Sequence, residues 1–130
     1  MSEHDHQAAF VNWARQQKAA MPELGNLFAI PNGAKLPWFR NDKGRRVCKQ
    51  AGILKAEGLE PGVPDMFLAI PNKYAHGLFL EFKSAAGKLS VAQDVWRSKV
   101  QAWGYYHMVV RDWSHARLYV TDYLSEDNEP

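Results

Sequence analysis

Cysteine is almost missing from this 130-residue chain, with Cys48 its single copy. An internal disulfide is therefore excluded, and so is a thiolate-rich metal centre. Long apolar runs are absent as well. None approaches the roughly 18 residues that a bilayer-spanning helix needs, so no membrane association is expected. The opening stretch, MSEHDHQAAF, lacks the basic and apolar regions of a secretory signal. Net charge is low, with 16 Lys and Arg against 14 Asp and Glu, or +2 overall. Repeats, low-complexity segments and linkers are also lacking. These absences point to one cytoplasmic domain over residues 1–130, long enough to bury a real core.

The near-neutral total conceals an uneven distribution. From residue 122 onward the chain carries Asp122, Glu126, Asp127 and Glu129 with no Lys or Arg. Setting those four aside leaves 10 acids against 16 basic residues. The acidic end, about 125–130, is expected to fray. Within the body, Lys35, Arg40, Lys43, Arg45, Arg46, Lys49 and Lys55 face Asp42 alone over one segment. Such a stripe suits a polyanionic partner, and equally a solvated helix face.

Apolar spacing predicts a helix over about 5–20, ended by Met21-Pro22, and a strand at 27–30 bounded by Gly25 and Pro31-Asn32-Gly33. An exposed loop over 35–43 leads to a helix over about 44–57, with the basic residues off its apolar stripe. Two β-rich runs follow, 65–70 and 78–83, as antiparallel neighbours joined by a slightly long hairpin loop. Ser90 with Gln93 forms a capping box at the start of a helix ending at Gly104. A strand over 105–110 and a helix from Ser114 towards Leu124 complete the order. The result is an α/β domain, a mixed central sheet flanked by helices.

The chemistry concentrates on the two β-rich runs. Alternate strand residues share a face, so Leu78, Leu80 and Phe82 form a buried face while Phe79, Glu81 and Lys83 point together to the other side. Asp65 shares a face with Phe67, and a suitable register brings Asp65 beside Glu81 and Lys83. Close carboxylates repel unless a cation intervenes. Mg²⁺ typically takes one or two carboxylates plus water and phosphate oxygens. It polarises phosphodiesters and acidifies bound water, and a neighbouring Lys offsets charge developing on phosphate. Each piece is common; their conjunction on adjacent strands favours phosphodiester hydrolysis over an ordinary surface ion pair.

The run Gly62-Val63-Pro64-Asp65, a hairpin, and Gly77-Leu78-Phe79-Leu80-Glu81-Phe82-Lys83 resemble the PD-(D/E)XK nuclease signature. Ile30-Pro31-Asn32-Gly33, Gly87-Lys88-Leu89-Ser90 with Gln93, and Gly104-Tyr105 narrow the resemblance to its VRR-NUC branch, from about Asp5 to Leu124. That resemblance implies a restriction-endonuclease-like core and a stand-alone, phage-type domain of a bacterial or phage-infected cell. Its activity would be Mg²⁺-dependent cleavage of DNA by metal-activated water, with Mn²⁺ substituting. Asp65, Glu81 and the Phe82 backbone carbonyl would bind metal, Lys83 would orient the water, and Gln93 would assist. The family's first-helix glutamate is replaced here by Asp5, eight residues before Trp13, with Glu3 the alternative. Lys35, Arg40, Lys43, Arg45, Arg46 and Lys49 would hold phosphates. Branched DNA such as a four-way (Holliday) junction in DNA repair, cut by a homodimer, is the implied substrate. Flap or nicking cleavage, or a DNA-binding module with impaired catalysis, are the alternatives.

Other residues read as structural. The His4/His6 pair is expected to be incidental and His107 a satisfied sheet residue. Trp96 and Trp103 are expected in core or dimer contacts, and Tyr74 and His76 in an ordinary exposed loop.

Overall fold

A central four-stranded sheet has the order β1-β4-β5-β6, from β1 (Leu27–Ala29), β4 (Met66–Leu68), β5 (Leu78–Phe82) and β6 (Tyr106–Val110). The computed structural model describes residues 1–125; most of the acidic end lies outside them. β1 and β5 each run antiparallel to β4, whereas β6 runs parallel to β5. That parallel pair is joined by the crossover helix α3 (Val91–Ala102), as parallel neighbours require. The mixed α/β architecture matches the sequence expectation.

The sheet face carrying Met66, Leu68, Leu78, Leu80 and Phe82 packs on α1 (Glu3–Gln17) and α4 (Trp113–Ser125). α1 contributes Phe10 and Ala14, and α4 contributes Ala116, Val120, Tyr123 and Leu124. Burying one Phe10-sized side chain contributes about 2–3 kcal/mol. The two helices are also tied by a polar contact, because His6 Nδ1 accepts the Trp113 N–H at 3.2 Å. His6 is thus a structural acceptor. Asp112, rather than Ser114, caps α4: its Oδ1 accepts the Ser114 N–H at 2.8 Å. The Asp112 carboxylate, two residues before Ser114, sits at the correct offset for the orphan amides of the first turn.

The opposite sheet face is aromatic. Phe67 lies 4.5 Å from Phe79 between ring centroids, and Phe79 meets Trp96 of α3 edge-on at 6.2 Å. Trp96 is therefore a packing residue, whereas Trp103 is exposed. His107 pairs across from Phe79 on this face and is 7% exposed. Neither of its ring nitrogens has a hydrogen-bond partner, which corrects the expectation of a satisfied residue. Burial, aided by the nearby Arg97 charge, pushes its pKa below the ordinary 6.5. A His that stays neutral when folded contributes stability that is present above pH 6.5 and lost as the pH falls through its lowered folded value. His107→Leu is therefore expected to weaken the acid-side loss, measured as the difference in urea stability between pH 7.5 and 5.5 in both proteins.

The hairpin loop between β4 and β5 is better anchored than expected. Asn72 Oδ1 accepts the Tyr74 and Ala75 N–H groups at 2.8 Å each, and its Nδ2 donates to the Tyr123 carbonyl at 3.1 Å. Tyr74 and His76 themselves are exposed.

The largest correction falls on 35–57. In place of a loop and one long helix there is a separate two-stranded sheet, β2 (Phe39–Arg40) with β3 (Arg46–Val47), followed by the shorter α2 (Lys49–Ala56). Gly44, at φ 74°, and the Asn41 side chain, which accepts the Lys43 and Arg45 N–H groups at 3.0 Å each, turn the chain back. The local turn outcompetes the helical spacing. Cys48 caps α2, its Sγ accepting the Ala51 N–H at 3.4 Å.

Candidate active site

Register brings the two carboxylates together. Phe67 pairs with Phe79 and Met66 with Leu80, so one step further Asp65 stands across from Glu81. Directly opposed residues of an antiparallel pair share a face, with Cβ atoms about 5 Å apart. β1 braces this end, as the Ile30 N–H donates to the Asp65 carbonyl at 2.8 Å. On the far side the Lys83 N–H donates to the Val110 carbonyl at 2.9 Å. Both carboxylates are buried, Glu81 to 2% exposure.

Asp65 is well supplied with donors. Its Oδ2 accepts the Phe82 N–H at 2.8 Å and its Oδ1 accepts Lys35 Nζ at 3.1 Å. Burial opposes its ionisation, but bonding from Glu81, the Phe82 amide and Lys35 outweighs burial and holds Asp65 below the usual carboxylate range. Glu81 has the reverse environment. Burial above all, then the adjacent Asp65, pushes it up to about 9, with Lys83 and Lys35 opposing the rise. The two groups titrate as a coupled pair, Asp65 held low by its cationic and amide partners and Glu81 raised by burial. Glu81 Oε1 has no hydrogen-bond partner among the described residues. Leaving such an atom buried and unpaired costs roughly 1–3 kcal/mol.

A buried, unpartnered carboxylate oxygen beside a second carboxylate fits a hard divalent cation. Asp65 and Glu81 would be its protein ligands. Among the described residues, no three His, Cys, Asp or Glu side chains are grouped to hold a metal. Asp5 therefore does not complete a triad with the pair. Its Oδ2 accepts the Ser2 N–H at 2.9 Å, closing the α1 capping box. Those bonds, the Ser2 backbone first, keep its pKa low. Glu3 is turned instead to the loop after Lys83, where its Oε2 accepts the Ser84 N–H at 3.3 Å. Arg111 knits the same loop, donating to the Ser84 and Gly87 carbonyls at 2.7 and 2.6 Å.

Lys83 lies one residue past β5, close enough to Glu81 for its charge to act on it. Phe82 meets the pair through its amide N–H. Gln93 Oε1 accepts the Ser90 N–H at 2.8 Å in the α3 capping box. This leaves its amide nitrogen for a water or substrate. Gly62 brings the α3 start against the loop that carries Asp65: a Cβ there would stand 2.3 Å from the Ala92 carbonyl oxygen.

A cleft of about 350 Å³ opens beside Asp65, lined among others by His4, Gln7, Arg15, Asn32 and Lys35. His4 was expected to be incidental, and Arg15 was not singled out in the sequence. His4, Ala8, Val11 and Arg15 form one stripe at helical spacing, flanking the apolar stripe read from Phe10 and Ala14. The expected phosphate-binding residues divide into three places. Lys35 is at the carboxylates, Arg40, Lys43, Arg45 and Arg46 are on the β2–β3 hairpin, and Lys49 opens α2.

No family model and no curated protein matches this chain. Among solved structures, one described as a VRR_NUC domain protein matches with a TM-score of 0.75 and 20% sequence identity. The match covers 97% of this chain and 90% of that chain. The chain thus shares its α/β fold with that VRR_NUC domain protein, in line with the fold that the sequence resemblance implied.

Proposed function

We propose that this chain is a Mg²⁺-dependent endonuclease that hydrolyses DNA phosphodiesters, with Asp65 and Glu81 as metal ligands and Lys83 as the cationic catalytic residue. The observation that carries this reading is the buried Asp65–Glu81 pair set across adjacent strands, with one Glu81 oxygen unpartnered and Lys83 beside it. Asp65 and Glu81 would hold the cation, which would supply Lewis-acid polarisation of a phosphate oxygen and a lowered pKa for a bound water. Mn²⁺ is the natural substitute. Lys83 holds the attacking water by a donated hydrogen bond and balances charge accumulating on the phosphate. Gln93, fixed at the start of α3, orients the same water or the substrate. Lys35 and Arg15 in the cleft, with the hairpin cations beyond, hold neighbouring phosphates.

A small domain has limited surface for a branched DNA, so two copies about a two-fold axis, cutting paired strands of a four-way junction, form the fuller proposal. Val91 and Val95 on α3 and Trp103 just past its end, all exposed, provide apolar surface for that pairing. Light scattering at working concentration checks it, a monomer removing the dimer. Digesting matched linear, flapped, nicked and four-way DNAs separates junction resolution from the flap and nicking alternatives.

The decisive variant is Lys83→Ala. Loss of one preorganised charge at the reacting phosphate is expected to reduce cleavage by about 10²–10³-fold, with DNA affinity in Ca²⁺ changed less than threefold. Undiminished Mg²⁺-dependent cleavage would remove Lys83 from the mechanism. DNA binding without any cleavage by the unaltered protein would favour the impaired-module reading.

A further inference from the structure

The β2–β3 hairpin stands apart from the main sheet and is only two residues wide on each strand. An isolated two-stranded hairpin is marginal in water, yet this one is pinned. Asn41 and Arg45 are joined by a 2.9 Å backbone bond, and Arg40 Nη1 donates to the Gly44 carbonyl at 2.8 Å. At its base, Trp38 Nε1 donates to the Gly33 carbonyl at 2.6 Å, and the Arg46 guanidinium lies 5.3 Å above the Trp38 ring. Gly33 and Lys35 belong to the same short 3-10 turn, and Lys35 contacts Asp65. The hairpin is therefore fixed relative to the carboxylates through a few residues.

Its two faces differ. Arg40 is registered opposite Arg46, a like-charge cross-strand pair that is destabilising in isolation. The ion pairs among the described residues are Lys35–Asp65 and Asp94–Arg97, so no carboxylate neutralises Arg40, Lys43, Arg45 or Arg46. The other face holds Val47 and its partner Phe39, which is 61% exposed. A hairpin with uncompensated cations on one side and a bare aromatic ring on the other matches a nucleic-acid strand, with phosphates for the cations and a base for the ring.

Building on the DNA-cleaving reading above, we propose that this hairpin is a wedge for discontinuities in duplex DNA. Phe39 stacks on an unpaired or end-exposed base where strands separate, while Arg40 and Arg46 grip the phosphates of the departing strand. In a continuous duplex every base face is covered by its neighbours, so the ring has nothing to stack on without unstacking a step. That difference makes Phe39 a specificity residue for branched DNA rather than a general affinity residue.

The test is equilibrium binding of the full chain in Ca²⁺, to a forked DNA and to a continuous duplex of equal length. 2-Aminopurine replaces the first base at the fork. Phe39→Ala is expected to weaken fork binding about tenfold, as for loss of one base–aromatic stack, with duplex affinity within twofold. It should also abolish the fluorescence change at the fork, and Phe39→Trp should restore both. Equal losses on the two DNAs, no loss on either, or a shift of Phe39→Ala in oligomeric state without a change in fork preference would each overturn the wedge. If Lys83→Ala abolishes cleavage while Phe39→Ala leaves fork preference intact, the wedge fails and the nuclease reading stands. If the unaltered protein binds neither DNA, both fail.

Discussion

Glu81→Gln is expected to eliminate Mg²⁺-dependent cleavage while making the metal-free protein more stable than the parent at pH 8. The two effects have one cause. In the parent, burial and the Asp65 carboxylate raise Glu81 to about 9, whereas the unfolded chain ionises near 4.5. For a group raised on folding, stability is fully present below the unfolded value and is lost as the pH rises through the folded one. The parent therefore loses stability progressively between about pH 4.5 and 9 from this group. Asp65, lowered on folding, acts oppositely, its contribution present above its ordinary 3.8 and lost in acid. Gln mimics protonated Glu81, since its amide donates to Asp65, and it does not titrate. Its advantage should grow from pH 6 to 9 in thermal melts without metal.

With Mg²⁺ the order changes. Ligand binding to the folded state alone raises stability by mass action, and the parent should gain where the variant does not. Several kcal/mol of transition-state stabilisation depend on the bound cation, so the loss of cleavage should be on the order of 10³-fold or more. A variant that melts below the parent at pH 8, or that retains Mg²⁺ stabilisation and cleavage, would contradict the placement of Glu81 as a ligand.

Gly62→Ala is expected to be the most damaging small substitution for the fold. Gly62 has φ 85°, and an added Cβ would meet the Ala92 carbonyl oxygen at 2.3 Å and the Gln93 nitrogen at 3.0 Å. The left-handed backbone alone costs a non-glycine residue about 1–2 kcal/mol. Relief of the contact requires moving the first turn of α3 against rigid backbone, adding roughly 1–3 kcal/mol. Together these predict a fall in melting temperature of about 10 °C in a domain this size. The displacement also shifts Gln93 at the start of α3, so cleavage should fall further than stability accounts for. Gly52→Ala is the control. Gly52 lies within α2 with open space around it, and Ala there should raise stability by about 0.5–1 kcal/mol. Equal melting temperatures for Gly62→Ala and the parent would show that the α3 contact yields freely.

The wide legibility of the strands comes from alternation. Leu78, Leu80 and Phe82 against Phe79, Glu81 and Lys83 is a period-two pattern, and the apolar set enters the core as that pattern requires, although Glu81 on the other face is buried as well. The capping box Ser90–Gln93 was equally readable, because it is a short-range donor–acceptor match. The segment around 35–57 was not, since Val47, Ala51 and Leu54 have helical spacing while Val47 in fact pairs with Phe39. The spacing there agreed with both structures, and a local turn chose between them. His4 and Arg15 were obscured for a different reason. They flank the apolar stripe of α1, and only the position of Asp65 reveals which flank faces the cleft.

The amino-acid pattern alone determined the α/β class, the buried face of β5 and the presence of one Asp and one Glu-x-Lys on two successive β-rich runs. These depend on local periodicity, where each residue's neighbours in the chain are its neighbours in space. Tertiary structure alone decided that Asp65 stands opposite Glu81, that Lys35 joins them rather than free solvent, that Asp5 is spent on a helix cap, and that the basic segment forms a hairpin with Phe39 exposed. The first two depend on register or on contacts across more than a dozen residues, whereas the Asp5 cap and the hairpin are short-range contacts that prevailed over the spacing read from the sequence. A one-residue slip leaves the composition and periodicity unchanged and turns every side chain to the other face.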